Sequence, residues 1–266
     1  MLWVVQKDLF IENKRGALLE TLNRLDIPYI QVSVSQNTIT PDIPDDTVPI
    51  ITNGSIMLSN IARARNWSPG SLFNDNFSYS VWAPHYNNLL LNKDATFSTL
   101  GEADFAADQL FVRPVLDTKT FNGKVFTRKD FLELQAACLK GDTKAPKPDT
   151  PIVLALPKTI GQEHRHYIVD GRVVTSSRYK LSGRPNFKEG ADDAVVDVVN
   201  RAISMWQPAR AFVLDTYIAG DEIGIVEIGG ICHAGLYEAN LMKLVDALDT
   251  MPLDTALEAR GVVRKM

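Results

Sequence analysis

Only Asp170 and Gly171 separate two extended runs, Glu163–Val169 and Arg172–Tyr179. The pair suits the positive φ angles of a two-residue turn, so the runs read as an antiparallel hairpin. Ala219-Gly220-Asp221 makes a second hairpin between Ala211–Tyr217 and Ile223–Ile228. The start of the chain obeys a different rule. Leu2–Gln6 is a short apolar run, Leu18, Leu19, Leu22 and Leu25 recur at helical spacing, and Tyr29–Val34 is extended again. That order is a strand-helix-strand unit. The chain is therefore of the α/β class: an α/β unit, a small α+β unit and a hairpin-rich α+β unit.

Between these anchors, Val48–Thr52 reads as a strand that stops at Asn53-Gly54-Ser55, with a helix starting at Ile56. In a parallel sheet this turn lies at the carboxyl end of its strand, where α/β sheets collect ligands. Ser55 is thus either a helix cap or a substrate contact. Residues 66–93 lack periodicity and read as an irregular connection whose aromatics are mostly core. A base-stacking surface is the alternative, but no Lys or Arg interleaves the cluster between Arg65 and Lys93. A helix is expected over Ala95–Asp108, a strand over Leu110–Arg113, and a helix over Arg128–Leu139. The stretch KGDTKAPKPDTP, with Pro146, Pro148 and Pro151, reads as the clearest linker. Beyond it come a buried strand, Ile152–Leu156, a polar loop over Ser182–Gly190 that is a candidate lid, and a helix over Ala194–Met205.

Composition narrows the function classes. The 266 residues carry 28 Lys+Arg against 32 Asp+Glu, a formal charge of -4 that argues against a broad nucleic-acid surface. Cys138 and Cys232 stand in no metal-ligand spacing and read as core thiols. No apolar segment approaches the ~20 residues needed to span a bilayer, so a cytoplasmic protein is expected.

Three polar groups sit on or beside the predicted strands. Arg113 ends the apolar run LFVRP and Lys119 follows on a loop; the two could hold polyphosphate oxygens or be solvated surface cations. Glu163 and Arg165 share one strand face, and Arg178 and Lys180 form a similar same-face pair on the partner strand. A surface salt-bridge ladder would look the same. Asp215 and Glu227 each interrupt an apolar strand, and the hairpin brings the two carboxylates side by side. Either they are an exposed acid pair at a sheet edge, or a cation such as Mg²⁺ relieves their repulsion. His164 and His166 alternate with these residues and read as packing groups on the opposite face.

In this order the residues resemble the ATP-grasp superfamily of ATP-dependent carboxylate-amine ligases, and within it a bacterial and phage branch with Arg in place of the first phosphate-binding Lys. The resemblance rests on NGS at 53–55, LLLNKDA at 89–95, FVRPVLDTKTFNGKVF at 111–126, EHRHYIVDGRVVTSSRY at 163–179, and FVLDTY with IVEIGGICHAGLY across 212–237. It implies an N-terminal α/β domain over 1–92, an ATP-grasp N-lobe over 93–155 and a C-lobe over 156–266, the lobes enclosing ATP. Arg113 would contact the α and β phosphates and Lys119 the γ-phosphate. The backbone of Val153, Leu154, Ala155 and Leu156 would read the adenine edge, and Glu163 the ribose hydroxyls. Arg165 and Arg178 would face the reacting phosphate or the substrate carboxylate, and Asp215 and Glu227 would hold Mg²⁺.

Substrates would meet Ser55, Lys180, Tyr237 and Asn240. One departure stands out: the family commonly ends the last strand with Glu-x-Asn, and here the third position is Gly229. Asn240 is the candidate substitute. The implied activity is formation of an amide or peptide bond from a small-molecule or peptide carboxylate and an amine, through an acylphosphate. An inactive ATP-binding regulatory or inhibitory module is the alternative, and a phosphotransferase that stops at the phosphorylated substrate would share the site.

Overall fold

The computed structural model describes residues 1–7, 14–44, 49–116, 121 and 123–253. The N-terminal unit holds β1 (Leu2–Gln6), α1 (Lys14–Arg24), β2 (Tyr29–Ser35), β3 (Thr38–Thr40), β4 (Ile50–Asn53), α2 (Ile56–Ala64) and β5 (Pro69–Gly70). The sheet order is β3-β2-β1-β4-β5. β1 runs parallel to both β2 and β4, while β3 turns back antiparallel. Trp3, Val4, Val5, Ile50 and Ile51 are all buried, as strands covered on both faces must be. The order reverses at β1, which brings Gln6 and the turn after β4 together. There Gln6 Oε1 accepts from the Ser55 amide at 2.9 Å and from Ser55 Oγ at 2.8 Å.

The stretch 66–93, expected to be irregular, contains α3 (Tyr79–Tyr86). Its buried residues Tyr79, Trp82, Ala83 and Tyr86 form one stripe, but the exposed side also carries the apolar Val81 and Pro84, which masks the helical period in the sequence. Trp67, Phe77, Tyr79, Trp82 and Tyr86 are buried, and most of them pack with Val199, Phe212, Leu214 and Ile225 in the central core.

The next unit holds β6 (Thr96–Thr99), β7 (Gln109–Pro114), β8 (Lys124–Thr127), α4 (Arg128–Leu139) and β9 (Pro151–Ala155), with sheet order β6-β9-β7-β8. The helix expected over 95–108 is absent. Thr96–Thr99 pairs instead with β9, where two β-branched threonines suit a strand better than a helix. The proline-rich stretch is not a boundary between lobes, since it joins α4 to β9 within one sheet unit. Its carbonyls are used locally: Leu100 N donates to Thr150 O and Gly101 N to Pro148 O, each at 2.9 Å.

The last unit holds β10 (Gln162–Val169), β11 (Arg172–Leu181), β12 (Arg184–Glu189), α5 (Asp193–Met205), β13 (Ala211–Ala219), β14 (Glu222–Gly230) and α6 (Leu241–Asp249). These strands form an antiparallel sheet of order β12-β11-β10-β13-β14. The polar loop expected over 182–190 is a hairpin strand instead. Ser182 and Gly183 both take positive φ, the turn β12 needs, and β12 is an edge strand that tolerates Pro185. Tyr167, Val169, Ala211 and Val213 of this sheet share a core with Trp3, Val5, Leu22 and Ile51, which docks the N-terminal unit onto it. Cys138 and Cys232 are buried, unpaired thiols, and burial pushes the Cys232 thiol up to about 12.

Candidate active site

A cavity of about 650 Å³ opens between the β6-β9-β7-β8 sheet and the C-terminal sheet, within the range of small-ligand pockets. One part of its lining is apolar, from Phe111, Leu116, Val125, Leu156 and Ile160; another is charged, from Arg113, Glu163, Arg165, Lys180, Asp215 and Glu227. β9 is interior to its sheet. Val153 and Leu154 are paired with β6 on one side and β7 on the other, so their backbone groups are committed to the ladder. Ala155 pairs only with Phe111 of β7, and Leu156 lies beyond the strand, half exposed and lining the cavity. Of the four, Ala155 and Leu156 are therefore not paired on both sides, whereas Val153 and Leu154 are and contribute buried side chains.

The charged end follows from strand register. Arg165 is opposite Asp215, and Asp215 is opposite Glu227, so alternation puts all three side chains on one face. Arg165 donates Nε to Asp215 Oδ1 and Nη2 to Oδ2, both at 2.8 Å. Arg113 crosses from β7 to reach Glu227 Oε2 at 3.2 Å, and Lys180 reaches Glu163 Oε1 at 3.1 Å. Lys158, just past β9, pairs with Asp94 at 2.8 Å. Each of the four described cations lining the cavity is thus matched to one carboxylate. Burial opposes the charge of Arg165, but the Asp215 carboxylate outweighs this and raises its pKa well above the ordinary value.

Register also separates two residues that the spacing placed together. Glu163 is opposite Lys180 but His164 is opposite Arg178, so Tyr179 is the extra residue of a β-bulge. Lys180 and Tyr179 line the cavity; Arg178 falls on the other face and donates to Asn186 Oδ1 at 2.6 Å and Gln162 Oε1 at 3.3 Å. Tyr179 donates to Glu163 Oε2 at 2.7 Å and lies 3.2 Å from Asp215 Oδ2. Burial and these two carboxylates push its phenol well above the usual pKa, so it stays a donor.

A family profile described as an ATP-grasp domain, family 3 of its clade, matches residues 62–248. The chain belongs to this ATP-grasp family. The ATP-grasp chain also shares its fold with solved structures at low identity. A D-cycloserine synthetase, DcsG, superposes with TM-score 0.62 at 12% identity, covering 93% of this chain and 98% of that one. A D-alanine–D-alanine ligase from Bacillus anthracis complexed with ATP gives TM-score 0.60 at 13% identity, covering 98% and 99%. The ATP-grasp ligase PsnB complexed with a minimal precursor gives 0.56 at 14%, covering 94% and 98%. No curated protein matches by sequence.

The remaining sequence-derived residues divide. Tyr237 lines the cavity of the ATP-grasp chain, stacked on Tyr179 at 5.0 Å. Ser55 is the cap of α2, its Oγ accepting from Leu58 N, and is bound to Gln6 away from the cavity. Asn240 caps α6 through Lys243 N and donates to Glu189, and it is not among the residues lining the cavity. Lys119 lies outside the described residues. Lys158 and Tyr179 were not foreseen; the alternation rule fails at the bulge that turns Tyr179 inward.

The family implies a divalent ion with ATP, and the donor set fits it only in part. Glu227 has a side chain 40% exposed toward the cavity. Asp215 has both oxygens occupied by one guanidinium. Among the described residues, no group of three or more His, Cys, Asp or Glu could hold a metal.

Proposed function

We propose that the protein is an ATP-dependent ligase that joins a carboxylate to an amine, small-molecule or peptide, through an acylphosphate. The observation that carries this reading is the cavity between two sheets in an ATP-grasp domain, apolar in one part and lined in another by cations each paired with a carboxylate. The solved ATP-grasp neighbours that share the fold include D-alanine–D-alanine ligase and PsnB. ATP serves as a substrate, its base against Leu156 with Ala155 and Leu156 reading its edge, and its ribose toward Glu163. Arg113 faces the phosphates.

A carboxylate oxygen of the substrate attacks the γ-phosphorus as the bond to the ADP oxygen breaks. The amine nitrogen then attacks the acyl carbon, phosphate leaves with the C–O electron pair, and the amine loses a proton. Such chemistry depends on placement and charge stabilisation, and requires no nucleophilic side chain. Arg165 faces the carboxylate and the oxyanion that follows. A chain that consumes ATP and has unpaired buried thiols suits the cytoplasm.

Gly229 favours a second reading. It sits opposite Val213 on β14, where the family commonly has an amide ligand, and supplies no side chain. A chain so altered could keep nucleotide binding as a regulatory or inhibitory module. Hydroxylamine separates the two readings, because it captures an acylphosphate as a hydroxamate. A ligase gives ADP and hydroxamate with its cognate carboxylate, and Arg165→Gln lowers both about a hundredfold, the scale of a lost oxyanion contact. ATP binding without ADP or hydroxamate across a panel of amino acids, dicarboxylates and peptides would overturn the ligase reading in favour of the module.

A further inference from the structure

We propose that Asp215 is a positioning residue for Arg165 and not a metal ligand, so that Glu227 is the carboxylate that meets a nucleotide-bound divalent ion. The inference rests on the nucleotide-binding part of the proposed function and goes against the role that resemblance alone gives Asp215. Three observations support it.

First, both Asp215 oxygens are in use. Oδ1 accepts from Arg165 Nε and Oδ2 from Arg165 Nη2, each at 2.8 Å, and the Tyr179 hydroxyl lies 3.2 Å from Oδ2. Second, burial separates this pair from its neighbour. The side chains of Arg165 and Asp215 are 11% and 2% exposed, whereas Glu227, opposite Arg113, is 40% exposed. Withdrawing one member of a buried pair leaves an uncompensated charge, so Arg165–Asp215 persists where Arg113–Glu227 can exchange partners.

Third, the rest of the guanidinium is fenced. Its Nη1 donates to Gly235 O at 3.4 Å, and it lies 5.0 Å from the Tyr237 ring centre and 5.7 Å from that of Tyr179. Of five N–H donors, three are thereby used, and one remains on each terminal nitrogen. Asp215 holds the side edge of the fork. The terminal nitrogens keep the pair of donors that grips a carboxylate at two points, on a residue that lines the cavity.

The test uses Mn²⁺ with AMPPNP as probe, read by electron paramagnetic resonance, together with the ¹⁵N-labelled Arg165 Nε–H resonance, assigned by its loss in Arg165→Gln. Asp215→Asn should bind Mn²⁺·AMPPNP within about threefold of wild type while its Arg165 Nε–H signal collapses. Glu227→Gln should weaken Mn²⁺ at least tenfold and keep the Arg165 signal. Should Asp215→Asn fail to fold, the uncharged pair Arg165→Gln/Asp215→Asn carries the Mn²⁺ measurement. Loss of Mn²⁺ in either Asp215 variant as large as in Glu227→Gln, or an unchanged Arg165 signal in Asp215→Asn, would overturn the assignment and leave the ligase reading intact. A wild-type chain that binds no AMPPNP would overturn both.

Discussion

His166 shows how far the surroundings of one side chain can be set by its strand neighbours. Its Nδ1 lies 2.8 Å from Ser176 Oγ and its Nε2 2.9 Å from Thr216 Oγ1, both hydroxyls from flanking strands. Burial, with a smaller contribution from His164, lowers its pKa to about 3. In the unfolded chain the imidazole takes its proton near the ordinary value, so between that value and about 3 the unfolded state binds more protons. Stability then rises with pH across this window and is lost on acidification, by about 2 kcal/mol near pH 5 for this group alone. Urea unfolding of wild type and His166→Gln from pH 7 to pH 4.5 checks it. The amide keeps polar partners without titrating, so the variant should have the flatter profile; equal slopes would remove His166 as the cause. The packing role of this histidine was legible from its alternation with Glu163 and Arg165. The role of Asp215 was not, because a carboxylate on an apolar strand reads the same whether its counter-ion is a metal or a guanidinium on the next strand.

At the scale of elements, sequence reading worked where one period ran unbroken. β1, α1, β10, α5, β13 and β14 are such cases. It failed where a segment borrowed its structure from a distant partner. β6 forms because β9, some fifty residues on, offers an open side, and α3 is hidden because Val81 and Pro84 put apolar residues on its exposed side as well. The bulge in β11 is the failure that matters for the site, since one extra residue sends Arg178 to the face opposite Lys180. Arg178→Gln should accordingly leave AMPPNP affinity within about twofold, while Arg113→Gln weakens it at least tenfold in calorimetry. Equal losses would return Arg178 to the site. Packing makes a second contrast between elements. A methyl at Gly16, in the exposed part of α1, meets nothing, so Gly16→Ala should stabilise by about 0.5–1 kcal/mol. On β14, a methyl at Gly224 would collide with the Leu89 carbonyl oxygen and come 2.7 Å from Tyr217 Cε1. Gly224→Ala should destabilise by about 1–3 kcal/mol. Denaturation midpoints moving in the same direction would contradict this account of the contact between β14 and the segment at 89–91.

Across the whole molecule, the formal charge of -4 conceals a cavity whose described cations are each paired with a carboxylate. Among the described residues Arg113, Lys158, Arg165 and Lys180 each have a carboxylate partner, so a triphosphate entering alone meets these cations already paired. Of the residues that gather between the sheets, the motif order in the sequence singled out Arg113, Glu163, Arg165, Lys180, Asp215, Glu227 and Tyr237 but not Lys158 or Tyr179. It was silent on their pairing, which depends on β7 and β14 approaching from separate sheets. The Arg113–Glu227 pair spans that gap, and its carboxylate is 40% exposed. Replacing Glu227 by Gln removes the competitor for Arg113. In EDTA, AMPPNP should therefore bind Glu227→Gln about threefold tighter than wild type, roughly 0.6 kcal/mol, as suits a partly exposed ion pair. The gain should vanish in Arg113→Gln/Glu227→Gln, because the guanidinium that was released is gone. A Glu227→Gln chain that binds metal-free nucleotide more weakly than wild type would show instead that this carboxylate supports the phosphate site directly, and that the pair across the two sheets does not hold Arg113 back.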